Sequence, residues 1–102
     1  MILIFTTIHK KADALKIGKA LLKLKLIACY NLFPVESAYW WKGKILDDNE
    51  TLMILKTKEA NFDKCQSYIK KHSGYEVPEI VAIKASKVDK SYLGWINKET
   101  KR

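Results

Sequence analysis

Four side chains in this sequence could hold a soft metal ion: His9, His72, Cys29 and Cys65. Copper favours imidazole and thiolate donors, and neutral histidine is the commonest metal ligand in proteins. The spacing builds no array. The two cysteines are far apart and belong to no CxxC or Cys/His repeat, so neither a disulfide framework nor a structural zinc site is indicated. Cys29 lies on an extended run between Ala28 and Tyr30, and Cys65 falls on an apolar helical stripe with Phe62 and Ile69. Both read as small buried hydrophobes without an activating neighbour. His9 opens a loop and is expected to face solvent. His72, near a helix end, has two readings: a metal ligand, or a capping and packing residue favoured by the helix dipole. Glu36, Asp47, Asp48 and Glu50 read as solvated or interface-pairing carboxylates. No nucleophile elbow, glycine-rich phosphate loop or HExxH motif is present, so the chain is not read as an enzyme.

The elements that must position these groups follow from periodicity. Met1 to Ile8 reads as a central strand, apolar on both faces. Lys11 to Lys25 reads as a helix, with Ala14, Ile17, Leu21 and Leu24 at helical spacing. Ala28 to Trp41 and Lys44 to Thr57 read as one long β-hairpin closed by Lys42-Gly43. Pro34 lacks a backbone donor and predicts a bulge or an edge-facing site on its first arm. Thr57 is placed to cap a second helix carrying Phe62, Cys65, Ile69 and His72 and ended by Gly74. Glu79 to Lys87 reads as a last strand. A short helix beginning near Asp89 then carries Tyr92, Leu93, Trp95 and Ile96.

Each hairpin arm of roughly 13 residues would extend about 43 Å, whereas a domain of this length has a diameter of about 33 Å. The hairpin should therefore overhang its own domain, with Tyr39, Trp40 and Trp41 beside its turn. Overhanging apolar surface and open strand edges are normally covered by a partner, which predicts an obligate oligomer.

With 102 residues and 48% hydrophobic content, the chain fits a single domain, residues 1–102, with one modest core. No apolar run approaches the ~20 residues of a membrane span, and the first residues lack the features of a signal peptide. A cytoplasmic protein with no membrane association is expected. The net charge of +8 invites a nucleic-acid reading. Against it, the lysines are scattered and the only arginine is Arg102, although arginine is the usual reader of guanine edges. No specific nucleic-acid partner is expected.

The element order β-α-β-β-α-β with an added helix predicts an α+β, ferredoxin-like sandwich with a long hairpin between its second and third strands. That architecture serves several functions. An acylphosphatase-like site lacks its arginine, an RNA-recognition module lacks its aromatic signature, and a copper metallochaperone lacks CxxC where this chain has Thr6-Thr7-Ile8-His9.

Five segments then resemble one family in order and approximate spacing: Leu26-Ile27-Ala28-Cys29-Tyr30-Asn31, Tyr39-Trp40-Trp41-Lys42-Gly43-Lys44, Leu55-Lys56-Thr57, Tyr75-Glu76-Val77-Pro78-Glu79-Ile80 and Tyr92-Leu93-Gly94-Trp95-Ile96. Together they are similar to the CutA divalent-cation tolerance proteins over nearly the whole chain. The resemblance implies a homotrimer of ferredoxin-like, PII-like subunits whose hairpins pair across subunits, with Tyr39, Trp40 and Trp41 in the trimer interface. It also implies a link to tolerance of copper or other divalent cations, weakly bound, with no organic cofactor. His72 is the counterpart of a family histidine implicated in copper binding, although His72-Ser73-Gly74-Tyr75 is one residue longer than usual. Thr6 and Lys71 stand where some members carry further donors. An alternative implied by the PII likeness is a sensor binding a small metabolite or anion in an inter-subunit pocket lined by Tyr39, Trp41, Lys56, Tyr75 and Glu79.

Overall fold

The computed structural model describes residues 1–100. Its elements are β1 (Ile2–Ile8), α1 (Lys11–Lys23), β2 (Cys29–Trp41), β3 (Lys44–Thr57), a 3-10 turn (Glu59–Asn61), α2 (Phe62–His72), β4 (Val81–Lys84) and α3 (Lys90–Glu99). All strand pairs are antiparallel, and the sheet order is β2-β3-β1-β4. The α+β class and the βαββαβ order expected from the sequence are present, and β1 is indeed central.

Alternation along the strands assigns each side chain to a face. Ile2, Ile4 and Ile8 of β1 and Met53 and Leu55 of β3 point to one face, where Ala14, Ile17 and Leu21 of α1 and Cys65 and Ile69 of α2 complete the core. The opposite face carries Leu3, Phe5 and Thr7, the even-numbered residues of β3, and Phe33, Val35, Ser37, Tyr39 and Trp41 of β2. Tyr39 and Trp41 therefore share this face, whereas Trp40 projects to the other. Among the described residues no core helix covers the second face, and Phe33, Val81 and Ile83 remain about half exposed there. Of the described helices α3 alone approaches it, at the hairpin base, where the Tyr92 hydroxyl lies 3.7 Å from Cys29 Sγ.

Several boundaries shift for identifiable reasons. Helix α1 ends at Lys23, two residues earlier than its apolar spacing suggests. Lys25 adopts a left-handed φ of 61°, with its amide donating to Leu22 and that of Leu26 to Leu21. This is the Schellman pattern, with Leu21 and Leu26 supplying the accompanying apolar contact. Thr57 does not cap α2. It ends β3, and its hydroxyl donates to the Leu26 carbonyl at 2.6 Å, while a 3-10 turn intervenes before the helix. Strand β4 spans four residues rather than nine, and its C-terminal end is set where its partner β1 runs out: Lys84 faces Ile2 and the Ala85 amide meets the Met1 carbonyl. Pro34 sits without a bulge in an unbroken register, opposite Thr51. Its missing donor is tolerated because β2 is an edge strand.

Lys42 and Gly43 both take positive φ, 51° and 78°, as a two-residue hairpin turn demands. The hairpin gives the molecule a long axis of 45 Å against 26 and 21 Å. Its distal half reaches beyond the helices.

Candidate functional site

Where the hairpin leaves the core, its open face and the loop after α2 enclose a cleft of about 850 Å³. Gly74, with a φ of 80°, turns the chain out of α2 and sends Tyr75 across the open face. One wall is the distal part of β2, from Glu36 to Trp41, and the other is the loop from Gly74 to Glu79. Thr7 and Glu50 lie between them.

Two tyrosine–carboxylate pairs organise this region. The Tyr75 hydroxyl donates to Glu50 Oε2 at 2.5 Å, joining the loop to β3. Tyr39 donates to Asp48 Oδ2 at 3.3 Å, a diagonal cross-strand contact set by the register that places Tyr39 opposite Leu46. His9 Nδ1 approaches the other Asp48 oxygen at 3.4 Å. Burial pushes the Glu50 carboxyl upward, but hydrogen bonds from Tyr75, Ser37 and Thr7 and the nearby His9 outweigh it. Its pKa is thereby held below the usual carboxylate range. Burial and the bond to Glu50 raise the Tyr75 phenol well above its ordinary value, and burial with the Asp48 carboxylate raises that of Tyr39. At neutral pH the region thus combines an ionised Glu50 with the neutral phenols of Tyr39 and Tyr75.

The pocket residues named from the sequence divide. Tyr39, Trp41, Tyr75 and Glu79 line this cleft. Lys56 lies at the opposite end of the hairpin, paired with Cys29 and 5.8 Å from the centre of the Tyr92 ring. Within the chain Tyr75 meets Glu50. Beside the turn, Trp40 is 72% exposed.

His72 is the last residue of α2 and is exposed, its ring stacked on Tyr68 at 4.1 Å between centroids. It does not line the cleft. Cys65 is fully buried, and burial pushes its thiol up to about 12. Cys29 is half-buried beside Tyr92. Among the described residues no group of three or more His, Cys, Asp or Glu side chains is placed to share a metal ion.

Sequence reasoning missed the Glu50–Tyr75 and Asp48–His9 contacts. Residues in each pair are 25 and 39 positions apart by number, and only sheet register with the course of the Gly74–Glu79 loop joins them.

Comparison with known proteins agrees with this architecture. The sequence profile of the CutA1 divalent ion tolerance protein family matches residues 2–99. The divalent-cation tolerance protein CutA of Pyrococcus horikoshii is 42% identical over 102 residues, covering 100% of both chains. That of Thermotoga maritima is 40% identical over 96 residues, 94% of this chain and 95% of the relative. A crystal structure of CutA1 from Pyrococcus horikoshii superposes with a TM-score of 0.95 at 41% identity, covering 100% of both chains. The structure described as the periplasmic divalent cation tolerance protein CutA from Archaeoglobus fulgidus gives 0.95 at 37% identity, with 97% and 98% covered.

Proposed function

This chain belongs to the CutA1 divalent ion tolerance protein family, and on that premise we propose that it acts in divalent-cation tolerance as a non-catalytic, single-domain homotrimer that binds copper or a similar cation weakly through His72. The subunit is ferredoxin-like and the assembly PII-like. The observation that carries this reading is the open sheet face. A two-layer subunit that leaves Phe33, Val81 and Ile83 half exposed, beside an overhanging hairpin, has the surface an obligate assembly needs. Tyr39 and Trp41 lie on that face, and Trp40 is presented to a neighbouring subunit from the other side of the hairpin.

Weak metal binding follows from the donor set. One imidazole per chain gives neither the ligand number nor the rigidity of a closed site, so exchange is fast and affinity low. Two thiols without a disulfide suit a reducing compartment, and we assign the protein to the cytoplasm. Among the described residues no helix is long and apolar enough to cross a membrane.

Native mass spectrometry of metal-stripped protein titrated with copper(II) tests the proposal. The expected species is three times the 11.8 kDa chain mass, taking up one copper per chain, with uptake lost in His72→Ala. A monomer overturns the assembly, and an unaltered copper isotherm in the variant overturns the site. Phe33→Glu, which places a charge on the open face, is expected to yield monomer.

A further inference from the structure

Lysines that are scattered along the sequence are gathered on one surface by the fold. Helix α1 buries Ala14, Ile17 and Leu21 against the sheet, and Lys16, Lys19 and Lys23, spaced i, i+3, i+7, form an exposed stripe on its opposite side. The stripe runs about 10 Å along the helix axis, and Lys10 and Lys11 stand exposed where the helix begins. On α2, which packs on the same sheet face, Lys64, Lys70 and Lys71 are exposed as well. The two helices carry one carboxylate each, Asp13 and Asp63. Among the described residues none of these lysines pairs with a carboxylate, whereas Lys25 meets Glu99 at 3.7 Å and Lys84 meets Glu59 at 3.6 Å. The hairpin has the reverse balance, with Lys42, Lys44 and Lys56 against Glu36, Asp47, Asp48 and Glu50. The excess of 19 basic over 11 acidic residues is thus concentrated on the helical layer.

A stripe of unpaired like charges repels itself, and an anionic partner relieves that repulsion. The rest of the surface selects among anions. Among the described residues of the α1–α2 layer, Leu24, just after α1, is the one large apolar side chain that is exposed. A stable protein interface has an apolar centre, and lasting attachment to a lipid surface takes an inserted apolar group besides the charges. A phosphate backbone needs neither, because lysines bind it by releasing its counterions. With no arginine and no exposed Phe, Tyr or Trp among the described residues of this layer, nothing reads a guanine edge or stacks on a base. We infer that the α1–α2 face binds the phosphate backbone of a nucleic-acid duplex without regard to sequence, with Lys16, Lys19 and Lys23 as its principal contacts. This face lies across the sheet from the surface proposed for subunit contact, so neither the trimer nor copper is required for it.

The test is fluorescence anisotropy of a labelled mixed-sequence DNA duplex titrated with metal-stripped, full-length protein in its native assembly, over a series of salt concentrations. Micromolar binding is expected at about 50 mM salt, with the logarithm of the binding constant falling linearly by about 0.9 per contacted phosphate as the logarithm of salt rises. A second duplex of unrelated sequence should bind equally well. The triple change Lys16→Gln, Lys19→Gln, Lys23→Gln alters exposed positions alone and should flatten the slope by about 2.7 and weaken binding at least about tenfold at low salt. Lys87→Gln, Lys90→Gln, Lys98→Gln removes the same charge elsewhere and should leave the slope unchanged. The inference is overturned by no binding at low salt; by equal losses in the two triple variants, which would make net charge alone responsible; by a marked preference between the duplexes; or by tighter binding to phosphatidylserine vesicles than to duplex, which would make the partner a membrane.

Discussion

Strand β3 passes through two environments, and its two halves differ in what their side chains are for. From Thr51 to Thr57 buried and half-exposed residues alternate strictly, because α1 and α2 cover one face. From Lys44 to Asn49 the alternation is gone, and Ile45 and Leu46 are exposed although both are apolar. The same backbone, in the same unbroken register with β2, loses its pattern where the helices end. Apolar residues in the proximal half stabilise the subunit. Those in the distal half contribute little to it, which is the physical basis for the proposal that the hairpin is an assembly element.

The largest test of that contrast is Leu55→Ala in the covered half. Leu55 is fully buried, and its truncation is expected to cost about 2–5 kcal/mol, seen as a lowered midpoint in chemical denaturation. A loss as small as that of a surface change would mean that the covered half is not the core. The Tyr75 contact comes next, because it joins the loop to the hairpin at the border between the halves. Tyr75→Phe should cost about 0.5–1.5 kcal/mol and raise the Glu50 pKa. A carboxyl whose folded pKa lies below its unfolded value adds stability that is full above the unfolded pKa and is lost as pH falls through the folded one. Removing the hydroxyl should therefore lessen the loss of stability on the acid side, and NMR titration of the Glu50 side chain should follow the shift upward. No movement of that titration would show that Tyr75 does not set it.

Changes in the distal half should spare the subunit and affect its association. Ile45→Ser is expected to alter the folding stability of the dissociated subunit by no more than about 0.5 kcal/mol. Light scattering should show weakened self-association, and an unchanged mass at low concentration would break the comparison. A similarly small stability effect is expected of His72→Ala. It removes an exposed ring and one stacking contact with Tyr68, worth about 0.5–1 kcal/mol at most. Thermal melts should barely move even where copper uptake is abolished.

Much of the fold was legible because the signals are local. The 3.6-residue spacing of Ala14, Ile17 and Leu21, the turn at Lys42-Gly43 and the breaker Gly74 placed elements within a few residues. The ends of α1 and β4 were not, since a Schellman turn at Lys25 and the length of the paired strand decide them. Of the site, the aromatic residues beside the turn and the Tyr75 to Glu79 segment stood out in the sequence, while the partners of Tyr75 and Tyr39 did not.

Residue types and their spacing by themselves determined the α+β class, the overhang of the hairpin, the scarcity of metal donors and the family likeness, because each depends on near neighbours in the chain. Only the tertiary structure decided that Tyr39 and Trp41 share the open face while Trp40 leaves it, that Lys56 lies at the opposite end of the hairpin from the cleft, and that the cleft is acidic within a basic chain. Those outcomes depend on strand register and on where one loop crosses the sheet, and both are set by the packing of residues distant in sequence.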